Sequence, residues 1–337
     1  MKTRRGFTLV EFMVLFGIFV ILLSIFFPYL LKVREADRRA QCASNLKQIG
    51  DALSLYANAN QRNFPRVIYD EVSMPTGYNA FSGPDDDNPF APESKVQPND
   101  VTASLWLLVR QGWVSPAAFI CPGSKDSRDL MTDSAGRFVK PTQRGNFRKP
   151  SNLSYSYASP FSNALNFKLN FDYLNFYFAL VADKNPGIGP EADVTKPPYN
   201  ADPIELSRAN SFNHGRAGQN VLYPNGGVTF RRTPYAGPNY GEPHGDNIYT
   251  ARAPVPATQP ANLHVTLNGY CGTNLSPVTP DDSYLVPTAQ DDASPSRVPP
   301  PATAPASTTP ATTTEPPPAP TTAPATAPTQ PATTTGS

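Results

Sequence analysis

The sequence has few residues of the types that build catalytic and metal sites. Its three cysteines are Cys42, Cys121 and Cys271. They form no C-x-x-C pair, so neither a zinc ribbon nor a thioredoxin-like redox site is indicated. The three histidines include no H-E-x-x-H motif, and both a G-x-S-x-G elbow and a glycine-rich phosphate loop are missing. We therefore expect no enzyme activity, no cofactor and no metal site.

The chain also lacks an excess of charge of one sign. It has 28 basic and 27 acidic side chains and a net charge of +1. Nothing in this balance indicates a nucleic-acid partner. Residues 293–337 have almost no large apolar side chains and are rich in Pro, Thr and Ala. Such a segment cannot offset its ordering entropy, so we expect a disordered tail that serves as a stalk or as a solubilising extension.

Charge is missing altogether from Phe12 to Leu31. A helix of this length spans about 30 Å, the thickness of the hydrocarbon core of a bilayer. No small-x-small cleavage site follows the run, so an ordinary cleaved secretory signal is not indicated. Lys and Arg flank both ends in similar numbers and do not settle the topology. We favour a cytoplasmic N-terminus because a short basic cluster leads directly into the apolar run.

One carboxylate, Glu11, stands at the start of this run, where an unpaired charge is costly. The stretch "RRGFTLVE" resembles the N-terminal signal of type IV pilins and type II secretion pseudopilins. The resemblance implies that prepilin peptidase cleaves after Gly6 and N-methylates Phe7. It also implies that Glu11 neutralises the terminal ammonium of a neighbouring subunit in a filament. The alternative is a Glu that simply reaches headgroup water.

Pro28 interrupts the helical hydrogen-bond pattern, because proline has no N–H and clashes with the carbonyl four residues back. We expect a kink or local melting there. In the pilin families a Pro at this distance from the cleavage point lies where the helix loosens inside filaments. The alternative is a kink without function, as membrane helices tolerate elsewhere.

The segment "VREADRRAQCASNLKQIGDALSLYANA" resembles a planctomycete-type pilin-like family named for its processing-associated His-x9-Asp-Gly motif. Its apolar residues recur at spacings of 3, 4 and 3, at Leu46, Ile49, Leu53 and Tyr56. This is the period of one helix face. The sequence therefore predicts one helix from about Thr8 to Asn58, whose second half packs on a globular head.

The head, residues 61–292, is predicted to be α+β: a small antiparallel sheet with long loops. We expect strands in "PRVIYDEV", "AFICPG", "LSYSYASPF", "FYFALVADKNP" and "HGDNIYT". "TASLWLLVRQGWV" predicts a short amphipathic helix that ends near Gly112. The loop with Asp85, Asp86 and Asp87 offers calcium-type oxygens, although it lacks an EF-hand pattern and also suits a solvated loop.

The clearest hairpin is "QNVLYPNGGVTFRR", in which Asn225-Gly226 suits a tight turn with positive φ. The stretch "NHGRAGQNVLYPNGGVTF" is similar to the region of the His-x9-Asp-Gly motif. Here ten residues separate His214 from Asn225, and Asn replaces Asp. Because a turn needs only tolerance of φ, we interpret this motif as structural.

An exported head permits one disulfide, and Cys42 with Cys121 is the pair we favour. Three unpaired thiols are the alternative, since spacing alone cannot show that two Cα atoms approach within about 7 Å.

Together these features predict leader 1–6, a membrane and assembly helix 7–31, its amphipathic continuation 32–60, head 61–292 and tail 293–337. The resemblance implies a structural subunit of a pseudopilus or pilus-like filament in the bacterial inner membrane, with its head outside the cytoplasm. Its partners would be other pilin-like subunits, prepilin peptidase and, by analogy, an assembly platform and ATPase.

Two alternatives remain. The chain could be a single-span surface-anchored binding protein that never polymerises. It could also be an exported enzyme, since "TRRGFTL" fits a twin-arginine signal. The long apolar run, Glu11 and the missing cleavage site oppose the second alternative.

Overall fold

The computed structural model describes residues 7–70, 78–133, 135–162, 167–239, 244–252, 271, 275–277 and 279–289. The expected leader with Gly6, the tail and His264 lie outside the described residues.

The first element is helix α1, Leu9–Ala59, 51 residues long. It begins with a capping box, in which Thr8 Oγ1 accepts the N–H of Glu11 while the Glu11 carboxylate accepts the N–H of Thr8. The predicted single helix is confirmed with nearly the same bounds. The backbone is helical at position 28 as well, so the local melting expected at Pro28 is not present. One lost donor does not open a helix that is hydrogen-bonded on both sides.

The two halves of α1 differ in burial. Every residue from 7 to 27 is exposed. In the second half, Leu46, Ile49 and Leu53 are fully buried and Tyr56 is partly buried against the core. The predicted stripe is thus the face that the head covers.

A five-stranded antiparallel sheet forms the centre of the head. Its strands are β1 (Tyr155–Ala158), β2 (Val181–Asp183), β3 (Gln219–Leu222), β4 (Val228–Arg231) and β5 (Leu285–Val286), in the order β4-β3-β2-β1-β5. The register pairs Tyr155 with Asp183 and Val181 with Leu222. Helix α1 packs on β3 so closely that a Cβ at Gly50 would lie 2.9 Å from a Leu222 methyl.

Helix α2, Val101–Arg110, is buried from Val101 to Val109. The predicted short helix is therefore confirmed, and its burial makes it a central helix of the core. Asp100 caps it by accepting the N–H of Ala103 at 2.8 Å. In the part of the chain that the structure describes, the remaining helices are α3 (Pro203–Ser207) and four 3-10 turns at Pro116–Phe119, Pro141–Gln143, Pro150–Asn152 and Phe212–His214.

Three of the expected strands are wrong. Residues 65–70 are irregular, since Val67 N–H donates to Ser104 Oγ and the Ile68 carbonyl accepts from Asn99 N–H. "AFICPG" begins in a 3-10 turn, capped by Ser115. "HGDNIYT" contributes one isolated bridge, from Asn247 to Tyr235. The edge strand beside β1 is instead β5, for which the sequence predicted no strand.

The predicted strands in "LSYSYASPF" and "FYFALVADKNP" are confirmed as β1 and β2, and the predicted hairpin is confirmed as β3–β4. Its turn differs in detail from the prediction. The Tyr223 N–H donates to the Gly227 carbonyl, which leaves a three-residue loop. In this loop the positive φ falls on Gly226 (77°) alone.

Candidate functional site

The N-terminal end of α1 is an exposed apolar surface. Phe7 is 72% exposed, and the side chains that follow it up to Phe27 are exposed as well. Among the described residues, one helix is long and apolar enough to cross a membrane, and its most apolar window is not buried in the protein. This is consistent with a single membrane span or a signal anchor.

Glu11 lies in the first turn of this surface. Both hydrogen bonds from Thr8, through its N–H and its hydroxyl, reach Glu11 Oε2 at 2.9 Å. Glu11 Oε1 takes neither of these bonds. The carboxylate can therefore cap its own helix through Oε2 and still offer Oε1 to a cation.

A second site lies where α1 meets the head. It consists of four buried side chains from four elements: Cys42 of α1, Cys121 after the first 3-10 turn, Asp183 at the end of β2 and His214 at the end of the last 3-10 turn. We call these four residues the Cys–Asp–His cluster. Their donor atoms all lie within 4.8 Å of one another.

The closest contacts run around the cluster. His214 Nε2 is 3.5 Å from both Cys121 Sγ and Asp183 Oδ2. Cys42 Sγ donates to Asp183 Oδ1 at 3.0 Å. Four atoms of the kind that coordinate soft and borderline cations thus converge on one point.

Hydrogen bonds from outside the cluster hold each of its charged or chargeable groups. The Gly123 N–H donates to Cys121 Sγ at 3.3 Å, and the Tyr155 hydroxyl lies 3.2 Å from Cys42 Sγ. Asp183 accepts the Asn213 side-chain amide at 2.9 Å and the Asn220 N–H at 2.7 Å. These partners fix the orientation of three donor side chains.

His214 is oriented by a carboxylate on α1. Its Nδ1 lies 3.1 Å from Glu35 Oε1. Because a carboxylate only accepts, Nδ1 carries the proton, and Nε2 faces the cluster. Glu35 is itself paired with Arg39 at 3.0 Å.

The surroundings of the two thiols shift their pKa values in opposite directions. Burial raises the pKa of the Cys42 thiol, and the neighbouring Cys121 and Asp183 raise it further. For Cys121, the side-chain contacts with Cys42 and His214 outweigh burial and lower the pKa to about 7. Burial lowers the pKa of His214, but Cys121, Asp183 and Glu35 together raise it overall. The cluster therefore favours a thiolate at Cys121 beside the imidazole.

The structure places the other predicted residues as follows. Asn225 and Gly226 form the hairpin turn, whereas His214 lies before β3 and contributes to the cluster. Cys42 and Cys121 are close together as free thiols, so their pairing in a disulfide stays a prediction. Asp86 in the acidic loop is occupied by the N–H groups of Asn88 and Lys95 and by the Ser94 hydroxyl.

Comparison with known proteins finds a family that is similar to part of the chain. Residues 32–163 are similar to the family model described as a protein of unknown function (DUF1559). The match covers the second half of α1, Cys42 and Cys121, and is less than half of the chain. It is consistent with a pilin-like protein. No curated protein and no solved structure matches the chain.

Sequence reasoning missed the convergence of the cluster. Its members are separated by up to 172 positions, from Cys42 to His214, so no short motif contains two of them. One local signal was present: Cys121-Pro122-Gly123 places a backbone N–H against a cysteine sulfur. Asp183 stands in an apolar strand, where a carboxylate needs a buried partner.

Proposed function

We propose that the chain is a structural subunit of a filament of the type IV pilus or type II secretion pseudopilus kind. The observation that carries this proposal is the exposed, membrane-length first half of α1, which has Glu11 as its one charged residue between Phe7 and Leu31. The second half of the same helix is anchored in the head. Lipid can cover the exposed half in a stored subunit, and the helices of other subunits can cover it in a filament.

In this proposal Glu11 sets the register between the helices of neighbouring subunits. After cleavage behind Gly6, the amine of Phe7 of one subunit would meet the Glu11 carboxylate of the next. Attraction between opposite charges strengthens as the dielectric constant falls, while an unpaired carboxylate among apolar helices is disfavoured by about 2.5–3.5 kcal/mol at the membrane centre and less near its edge. The available Oε1 of Glu11 suits this role, because helix capping does not occupy it.

The remaining parts follow from the resemblance. Prepilin peptidase would cleave and N-methylate at Phe7, and an assembly platform and ATPase would drive polymerisation. The subunit would be stored in the inner membrane with its N-terminus in the cytoplasm and its head outside.

The test combines processing with filament recovery. In the native host, Glu11→Ala should still be cleaved and methylated but should be lost from sheared filaments. Asp37→Ala removes an exposed carboxylate from the same helix, beyond the apolar run, and should assemble normally. Undiminished recovery of Glu11→Ala in filaments, or a wild-type protein that retains Met1, contradicts the proposal.

A second function, a single-span surface-anchored binding protein, is favoured by a group of exposed aromatic side chains. Tyr173, Phe176 and Tyr177 lie on one loop and are 68%, 59% and 56% exposed. Aromatic residues of this kind are common in recognition surfaces. This function predicts that a Tyr173→Ala, Tyr177→Ala double variant loses binding to cell-wall glycan while Glu11→Ala has no effect on location or binding.

A further inference from the structure

We infer that the Cys–Asp–His cluster is a structural binding site for one zinc-class divalent cation, which joins helix α1 to the sheet. Cys42 Sγ, Cys121 Sγ, His214 Nε2 and one Asp183 oxygen are the four ligands. Both thiols lose their protons to solvent on binding, and the imidazole binds as the neutral ring.

The donor distances suit a tetrahedral ion. Zn–S bonds of about 2.3 Å and Zn–N or Zn–O bonds of about 2.0–2.1 Å place neighbouring ligand atoms roughly 3.3–3.8 Å apart in a tetrahedron. The His214 Nε2 to Cys121 Sγ and His214 Nε2 to Asp183 Oδ2 distances are both 3.5 Å. All four donor atoms lie within 4.8 Å of one another, so binding draws the more distant donors together.

The choice of zinc-class ion follows from the donor types. Two sulfurs and an imidazole favour zinc over magnesium or calcium, which prefer oxygen ligands. Four protein ligands, all buried, leave no open position for a substrate. Structural zinc sites are closed in this way, whereas catalytic sites keep one position for water.

The surroundings have the form of an outer coordination shell. Histidine ligands usually donate their second ring N–H to a carboxylate, and His214 Nδ1 donates to Glu35. The Gly123 N–H and the Tyr155 hydroxyl lie against the two sulfurs, and two amide groups hold Asp183. Without a cation, two thiols, a carboxylate and an imidazole are desolvated together, which is unfavourable for any charge they carry.

Zinc binding and a Cys42–Cys121 disulfide exclude each other, because a disulfide brings the sulfurs to about 2.05 Å and removes both thiolates. The two states are distinguished on the full-length protein purified in detergent without chelator. Elemental analysis should find about one zinc ion per chain, and intact mass should show no loss of two hydrogens. Zinc-free protein, or a Cys42–Cys121 disulfide peptide after digestion, overturns the inference.

Variants locate the ion. Reconstitution of metal-free protein with Co²⁺ should produce thiolate charge-transfer absorption. It should be weakened in Cys121→Ser, which keeps Cys42 as a thiolate ligand, and unchanged in Cys271→Ser, whose cysteine is outside the cluster. If Cys121→Ser fails to fold, Glu35→Ala supplies a second test. It keeps all four ligands, and we expect a 10–100-fold weaker zinc affinity, while Asp37→Ala leaves the affinity unchanged.

Thermal unfolding of the wild-type protein tests the metal site without any variant. A chelator should lower the midpoint of thermal unfolding, and added Zn²⁺ should restore it. An unchanged midpoint under chelation, together with no bound metal, contradicts the inference. None of these measurements depends on filament assembly, so the filament proposal can fail while this one stands.

Discussion

The Nδ1 of His214 lies 3.1 Å from the carboxylate of Glu35, although the two residues are 179 positions apart. Glu35 is the first carboxylate beyond the apolar run of α1, and His214 ends the 3-10 turn before β3. The contact lies four positions beyond the end of the apolar run and reaches into the head. It therefore ties the head to α1 just beyond the apolar run.

This contact changes the interpretation of the region similar to the His-x9-Asp-Gly motif. His214 and Asn225-Gly226 were predicted to form one structural motif at the hairpin. In the structure they lie at two different sites: Asn225 and Gly226 form the turn, while His214 lies against α1 and the two cysteines. The ten residues between them include β3, whose Asn220 N–H holds Asp183. The hairpin thus positions the cluster from one side.

The hairpin turn gives the first prediction. Gly226 has a φ of 77°, and a Cβ there would meet only the flexible end of Lys47, at 3.1 Å. Backbone conformation therefore decides the effect, and Gly226→Ala should destabilise the head by about 1–2 kcal/mol. Thermal unfolding should show a midpoint lowered by about 2–8 °C.

The control for this prediction is Asn225→Asp, which introduces the carboxylate found in the His-x9-Asp-Gly motif. The Asn225 side-chain oxygen accepts the Gly227 N–H at 2.9 Å, and Asp can do the same. Its unfolding midpoint should match that of the wild type. A large effect of Asn225→Asp, with none for Gly226→Ala, would show that the turn is not selected by backbone conformation.

The elements that could be predicted from the sequence are those with a local and repeated signal. The apolar run predicts a helix of membrane length, and the stripe at Leu46, Ile49 and Leu53 predicts a helix face that packs on the head. Both are parts of α1. The β3–β4 hairpin was predictable because its turn residues lie between two β-branched and aromatic runs. In each case the physical cause acts within a few residues of the chain.

The elements that could not be predicted depend on distant partners. Strand β5 has two residues, and it exists because β1 offers an edge 129 positions earlier, where Tyr157 pairs with Val286. Helix α2 is buried because distant segments cover its polar residues. The Phe81 N–H donates to Thr102 Oγ1 and the Val67 N–H donates to Ser104 Oγ. The Cys–Asp–His cluster is the extreme case, with four residues from four elements.

The second prediction concerns a buried ion pair. Arg144 is fully buried and donates two hydrogen bonds to Asp129, at 2.8 and 2.7 Å. Burial would raise the pKa of Asp129, but Arg144 and the backbone N–H groups of Met131 and Arg148 together outweigh it and hold the pKa below its ordinary value. Asp129→Asn leaves a buried guanidinium without its counter-charge, so we expect a loss of about 3–5 kcal/mol. Chemical denaturation of the detergent-purified protein measures it.

A matched control uses the Asp133–Arg137 pair, which is joined at 2.8 Å but has an 81% exposed arginine. Solvent screens such a pair, so Asp133→Asn should change stability by about 0–1 kcal/mol. Equal effects of the two substitutions would refute the assignment of Asp129–Arg144 as a core interaction.

The third prediction is a pH dependence. Burial raises the pKa of Asp246 to about 6, although Arg252 opposes the shift. The folded state therefore binds a proton more tightly than the unfolded state, whose Asp pKa is about 3.9. This contribution to stability is complete below pH of about 4 and is lost as the pH rises through 6, by roughly 2–3 kcal/mol.

Asp246→Asn removes this proton and should flatten the stability profile between about pH 4 and 6, measured by denaturant unfolding at several pH values. Asp51→Asn, an exposed residue of α1, should keep the wild-type slope. A slope that survives in Asp246→Asn assigns the effect to another group.

The fourth prediction separates the two roles of Glu11. Gln can take the place of Glu in a capping box, so Glu11→Gln keeps the bonds from Thr8 and loses the charge. Thr8→Ala loses the side-chain cap, which is worth about 1 kcal/mol, and keeps the charge. If Glu11 pairs with the amine of a neighbouring subunit, Glu11→Gln should abolish filament recovery, while Thr8→Ala should assemble with only a frayed first turn.

The measurement is the ratio of sheared filament protein to cleaved membrane protein for each variant. Both must first be shown by intact mass to begin at methylated Phe7, so that a processing defect is not mistaken for an assembly defect. The opposite ranking, with Thr8→Ala lost from filaments and Glu11→Gln retained, would mean that Glu11 acts through the helix start. The carboxylate would then be a cap of its own chain, and the register of the filament would have to come from the heads.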